Sequence, residues 1–140
     1  MTVSVFFDTN VLVYAAVCTP RDELKRSRAL QLIETENFGT SAQVLQEFFV
    51  TVVKKVSQPL SAVEALEWIE QWAEFPCQVI DQQLVRSAIE RSARHRISYW
   101  DAAIIVAAEA LGAHTIYSEA LNDGQRYGDV RVVNPFAQVC

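Results

Sequence analysis

Five short apolar runs punctuate the chain: Val3-Ser4-Val5-Phe6-Phe7, Phe38-Gly39-Thr40, Pro76-Cys77-Gln78-Val79-Ile80, Thr115-Ile116-Tyr117 and Val130-Arg131-Val132-Val133. The first four are separated by segments long enough for one or two helices, in which apolar residues recur at helical spacing. Short strands alternating with helices imply a mostly parallel sheet, because a parallel connection needs a dozen or more residues to cross back. Helices must then cover both faces. The fold class is therefore an α/β sandwich with about five strands in a central sheet. With 140 residues and no Gly/Ser-rich or low-complexity segment, the chain reads as one domain, 1–140.

Helix starts are marked by side chains able to accept the unsatisfied backbone N–H groups of a first turn. Thr9-Asn10 opens a helix from Val11 to about Val17, and Asp8 is itself able to cap it. Thr19-Pro20-Arg21-Asp22 starts a second helix through about Glu36, and Ser41 caps a third that turns Leu45, Phe48, Phe49, Val52, Val53 and Val56 inward. Ser61 with Glu64 is a capping box for a helix to about Glu74. Asp81 caps a helix to about Arg96, with Leu84, Val85, Ala88 and Ile89 inside. Ser98-Tyr99-Trp100-Asp101 introduces Ala102 to Leu111, apolar nearly all round, stopped by Gly112. That last helix must be buried.

Composition removes several classes. Twelve basic against seventeen acidic residues give a net charge of −5, which argues against a protein that coats nucleic acid nonspecifically. The opening residues carry no basic leader, and the longest apolar runs, Val11 to Cys18 and Ala102 to Ala108, fall far short of the ~20 residues of a membrane-spanning helix. A cytoplasmic protein without a membrane partner is expected. Cys18, Cys77 and Cys140 are odd in number and lack CxxC spacing, so they read as reduced thiols. His95 and His114 have no paired ligand spacing, which leaves zinc without a site. There is no G-x-S-x-G, G-x-x-x-x-G-K-[ST] or G-x-G-x-x-G motif. An aspartyl-phosphate phosphatase would want an acid where Asn10 stands.

Three acids remain. Each has a plain structural role open to it: Asp8 as a helix cap, Glu47 on the solvated row Gln43, Glu47, Lys54, and Asp101 as the far end of a capping box. Their conjunction says more. Asp8 follows the first strand directly, and in α/β sheets the working crevice lies beyond the carboxyl ends of the strands. If Glu47 and Asp101 reach the same crevice, carboxylates about 4 Å apart repel by roughly 4 kcal/mol at an effective dielectric near 20. A hard divalent cation, Mg²⁺ or Mn²⁺ as one or two ions, offsets that repulsion.

Asp8-Thr9-Asn10 after the first strand, Gln46-Glu47-Phe48, Tyr99-Trp100-Asp101-Ala102 and Tyr117-Ser118-Glu119 ahead of Asn122-Asp123-Gly124-Gln125 resemble the PIN domain, particularly the VapC-type toxins, over essentially the whole chain. The resemblance implies a PIN-like three-layer α/β/α sandwich and a metal-dependent endoribonuclease. It also implies the toxin half of a type II toxin–antitoxin pair, a homodimer held inactive by its cognate antitoxin. Asp8, Glu47 and Asp101 match the metal-binding acids, and Asn10 and Ser118 the supporting polar positions. Ala120 stands where the subgroup pattern has an Asp. Either Glu119 or Asp123 then supplies the fourth acid, with Asp123 the catalytic candidate, or a second ion is weakly held. A module that binds RNA or antitoxin but has lost turnover is the alternative. Lys54, Arg94, Arg96 and Arg126 are the candidates for gripping the RNA backbone. Tyr99 or Trp100 is a candidate for stacking a base, with the core the default place for Trp100.

Overall fold

The computed structural model describes residues 2–17 and 19–139. The elements are β1 (Val5–Phe7), α1 (Thr9–Ala16), a 3₁₀ turn (Pro20–Asp22), α2 (Glu23–Thr35), β2 (Phe38–Ser41), α3 (Ala42–Val50), a π-helical turn (Thr51–Lys55) and α4 (Ala62–Trp72). They continue with β3 (Cys77–Gln78), α5 (Gln82–His95), α6 (Tyr99–Ala110), β4 (Thr115–Tyr117), β5 (Arg126–Tyr127) and β6 (Val130–Val133). One six-stranded sheet runs in the order β3-β2-β1-β4-β6-β5. All neighbours are parallel except β5 and β6.

The expected caps form. Ser41 Oγ accepts from Val44 N, Asp81 Oδ1 from Leu84 N and Ser98 Oγ from Asp101 N, while Ser61 and Glu64 complete both halves of a capping box. Asp8, rather than Thr9 or Asn10, caps α1, so that helix begins at Thr9. Gly112, at φ 80°, ends α6: its N–H reaches Glu109 O and that of Ala113 reaches Ala108 O, the paired bonds of a left-handed helix stop.

The chain moves from β1 to β2 to β3 in one direction and returns across the sheet to β4. Right-handed crossovers therefore place α1 to α4 on one face and α5 with α6 on the other. Successive strand residues point to opposite faces, and Phe6 and Phe7 are both fully buried, so both faces are covered. Phe7 stacks on Phe38, whose other neighbour is Phe75, at centroid separations of 4.2 and 4.3 Å. In α6 the residues Ala102 to Ile105, Ala107 and Ala108 are all buried between the sheet and α5.

The structure departs from the sequence reading at several places, each with a local cause. Arg126-Tyr127 adds a sixth strand, joined to β6 through Gly128-Asp129 with Gly128 at φ 61°, a positive φ that a two-residue hairpin turn requires. The run 76–80 pairs only at Cys77 and Gln78, because its partner β2 ends at Ser41 where α3 begins. Pro20–Asp22 is a separate 3₁₀ turn before α2; the Asp22 carboxylate accepts from Thr19 Oγ1 instead of capping. The third helix changes to an i→i+5 turn at Thr51, and Phe49 is 37% exposed. Ile89, expected inside, is 57% exposed, since α5 has α6 on one flank and solvent on the other. Cys77 is a free thiol, as expected, whereas Cys18 and Cys140 lie outside the described residues.

Gly39 is the tightest position in the sheet. A Cβ there would stand 2.7 Å from Leu111 Cδ1 and 3.1 Å from Pro76 O, a carbonyl already bonded to Thr40 N. Gly39→Ala is expected to destabilise the chain by about 1–3 kcal/mol. Thermal unfolding checks this: the midpoint should fall by several degrees, and an unchanged midpoint would contradict the packing described.

Candidate active site

The C-terminal ends of β1 and β4 lie side by side, and the chain departs from them in opposite directions, so this is the topological switch point of the sheet. Asp8 leaves β1 here and Ser118 leaves β4. Asp8 N donates to Tyr117 O at 3.0 Å, continuing the ladder past the strands. Asp8 is only 7% exposed. Its Oδ1 accepts from Thr9 N at 2.8 Å and its Oδ2 from Ser118 Oγ at 2.7 Å. Burial pushes its carboxyl above the ordinary value of 3.8; the bonds from Ser118 and Thr9 oppose that shift, and the charges of Glu47 and Asp101 add to it.

Those three acids line one cavity of about 610 Å³. Glu47 comes from α3, with Oε1 accepting from Thr9 Oγ1 at 3.0 Å and Oε2 from Gln43 Nε2 at 3.4 Å. Asp101 comes from the first turn of α6, where its backbone N–H is taken up by Ser98. The buried amide of Gln43 ties the two helices together, since its Nε2 also donates to Trp100 O at 3.2 Å. Thr9, Asn10, Val13, Tyr14, Thr51, Lys55, Trp100 and Ala120 complete most of the wall.

The donor set suits a hard cation: three carboxylates with hydroxyl and amide oxygens, and no imidazole or thiol lining the cavity. Among the described residues, however, no group of three or more His, Cys, Asp or Glu is gathered in metal-holding geometry. Mutual repulsion and the bonds of Glu47 to Thr9 and Gln43 account for the open arrangement.

Of the remaining polar candidates near the site, Ser118, Glu119 and Asp123 fall outside the cavity lining and Asn10 is part of it. Ser118 lies fully buried beneath Asp8, where its hydroxyl also accepts from Ala120 N and Leu121 N, both at 3.1 Å. Asn10 does line the wall, and its Oδ1 accepts from Glu119 N at 3.1 Å, holding the loop after β4 in place. Glu119 accepts from the hydroxyl of the wall residue Tyr14 at 2.6 Å and from Lys25 Nζ at 2.7 Å. Asp123 is exposed and accepts from Asn134 N at 2.9 Å. Ala120 is the residue of this loop that lines the cavity.

Lys54 is exposed and does not line the cavity, Arg94 pairs with Glu90 over a separate polar groove, Arg96 ends α5 at φ 55°, and Arg126 is exposed on β5. Lys55 is a wall residue that the sequence does not announce, and Trp100, a stacking candidate with the core as its default place, lies on the wall as well. Lys55 replaces Lys54 as the cation on the row of Glu47, because an α-helix returns to one face after seven residues and the i→i+5 turn delays that return by one. Trp100, expected in the core, is 64% exposed at the cavity mouth. It sits at the second position of α6, in the first turn, ahead of the run of buried residues that begins at Ala102.

The PIN domain family model matches residues 5–120, and the chain belongs to the PIN domain family. No curated protein matches the sequence. Its fold is similar to that of VapC20 from Mycobacterium tuberculosis, a toxin that cleaves the sarcin-ricin loop, with 19% identity over 91% of this chain and 99% of that one, TM-score 0.65. It is also similar to a chain of a toxin–antitoxin complex from Klebsiella pneumoniae (18% identity, 94% and 98% covered, TM-score 0.70). DNA-bound VapBC from Salmonella typhimurium is a third relative in fold, with 18% identity, 94% and 97% covered and TM-score 0.61. Among the described residues no helix is long and apolar enough to cross a membrane.

Proposed function

We propose that the chain is a divalent-cation-dependent endoribonuclease, the toxin of a toxin–antitoxin pair, acting as a cytoplasmic homodimer. The observation that carries the nuclease is the convergence of Asp8, Glu47 and Asp101 on one cavity at the switch point of the sheet. The partner reading draws on the toxin–antitoxin complexes among the structures of like fold. When bound, Mg²⁺ or Mn²⁺ supplies Lewis acidity toward a phosphate oxygen and lowers the pKa of a water. Asp8, Glu47 and Asp101 would hold the first ion; a second, if present, would draw on the loop after β4.

The side chains of the protein do the positioning. Thr9 N and Ser118 Oγ fix the orientation of Asp8, and Thr9 Oγ1 with Gln43 fixes that of Glu47. The first turn of α6 presents Asp101 from the opposite wall. Water attacks phosphorus, the bond to the 3′ oxygen breaks, and that oxygen takes up a proton. The products carry a 5′ phosphate and a 3′ hydroxyl.

Placement of the acids sets the expected ranking. Asp101→Asn should lower cleavage of RNA in Mg²⁺ by roughly a hundredfold or more, since it removes a charge facing the reaction. Asp123→Asn, whose side chain anchors Asn134 outside the cavity, should stay within a few-fold of the parent. Equal losses in the two variants would overturn the three-acid reading. Ala120 favours a second reading, a PIN-like module that binds RNA or antitoxin without turnover, because an expected acid is missing from the cavity wall. That reading predicts RNA binding with no cleavage in Mg²⁺ or Mn²⁺.

A further inference from the structure

We infer that the cavity contains a subsite for one nucleotide of single-stranded RNA, with Trp100 stacking its base and Lys55 binding its phosphate; this rests on the nuclease reading and names how the substrate is gripped. Trp100 is the exposed one of the chain's three tryptophans: Trp72 is buried, and Trp68 stacks on it at 5.4 Å. Leaving an indole 64% open to water forgoes much of the stabilisation that burying a large apolar side chain brings. One aromatic contact supports the ring, and a hydrogen bond anchors the backbone that carries it. Tyr99 meets it edge to face at 5.0 Å, and its carbonyl accepts from the buried Gln43 amide that also bonds Glu47.

Gln43 therefore ties the platform to an acid of the reaction. A base on Trp100 would sit at a fixed offset from the scissile phosphate. Val50 and Ile104, apolar wall residues, extend the surface on which a flat ring can lie. Lys55 is the only cation lining this cavity and has no ion-pair partner among the described residues. The i→i+5 turn brings it there, and such turns recur at functional sites. A volume of about 610 Å³ lies within the usual range of roughly 300–1,000 Å³ for small-ligand sites. An exposed indole, a lysine and three carboxylates suited to a hard cation are complementary to one nucleotide and its 3′ neighbour.

The test uses a single-stranded RNA hexamer in EDTA, which removes the cation the proposed cleavage requires, and the same hexamer with abasic internal positions. Titrating the parent with the intact hexamer should quench tryptophan emission. Trp100→Ala should weaken binding about tenfold or more, Trp100→Phe should recover part of the loss, and neither should matter for the abasic hexamer. Lys55→Ala should flatten the slope of log affinity against log salt by about 0.7 while Trp100→Ala leaves it unchanged. Equal affinity of parent and Trp100→Ala, or an equal loss on both hexamers, would overturn the subsite. Cleavage in Mg²⁺ that ignores Trp100 and Lys55 would sink the subsite and keep the nuclease; base-dependent binding without cleavage would keep the subsite and sink the nuclease.

Discussion

Asp8→Asn is expected to abolish metal-dependent RNA cleavage, by roughly 10²–10⁴-fold, and to do so without unfolding the protein. Asparagine keeps an oxygen for Thr9 N, so the cap of α1 survives, while the charge and the acceptor for the Ser118 hydroxyl are lost. Mg²⁺ at a hundred times its dissociation constant should stabilise the parent by about 2.7 kcal/mol and leave the variant unmoved. The sign of the pH dependence in EDTA is also set. Asp8 holds its proton more tightly folded than unfolded, so its contribution favours the folded state at low pH. That contribution is lost as pH rises from 3.8 through the raised folded value. Asp8→Asn should lack this fall. Cleavage at the parental rate in Asp8→Asn, or an intact Mg²⁺ shift in its melting midpoint, would refute the assignment.

Ala120→Asp is expected to have the opposite effect. The Ala120 backbone N–H is held by Ser118 Oγ, and the residue lines the cavity, so a carboxylate placed there enters the wall that Asp8 and Asp101 already form. In EDTA the added charge should lower the melting midpoint through repulsion. With Mg²⁺ or Mn²⁺ present the order should reverse: tighter metal binding and turnover raised about tenfold, equivalent to 1.4 kcal/mol. Glu119 is already engaged, since Tyr14 OH and Lys25 Nζ both donate to its carboxylate. Metal affinity equal to that of the parent would show that the loop after β4 lends nothing to the ion.

Much of this architecture is written in local chemistry. Ser41, Ser61 with Glu64, Asp81 and Ser98 each cap the helix their position announces, because a cap depends on residues three or four apart. Asp8 directly after an all-apolar strand had to reach the sheet's C-terminal edge, and Asp101 opens the buried helix beside it. What stayed hidden depends on non-local geometry. The i→i+5 turn at Thr51 leaves no mark in an apolar pattern, yet it exchanges Lys54 for Lys55 on the cavity wall. Trp100 reads as core from its apolar helix, yet in the first turn of α6 it is exposed. The ion pair of Glu119 with Lys25 joins residues 94 positions apart, and β5 exists only through its pairing with β6.

If Asp8, Glu47 and Asp101 hydrolyse RNA with the help of a hard cation, the reaction leaves its mark on the ends of the products. The most direct measurement is the end chemistry of RNA fragments produced by the purified chain in Mn²⁺ or Mg²⁺ and in EDTA. The expected result is 5′-phosphate and 3′-hydroxyl ends with the metal and intact RNA without it. Cleavage that persists in EDTA, or fragments ending in a 2′,3′-cyclic phosphate, would contradict it.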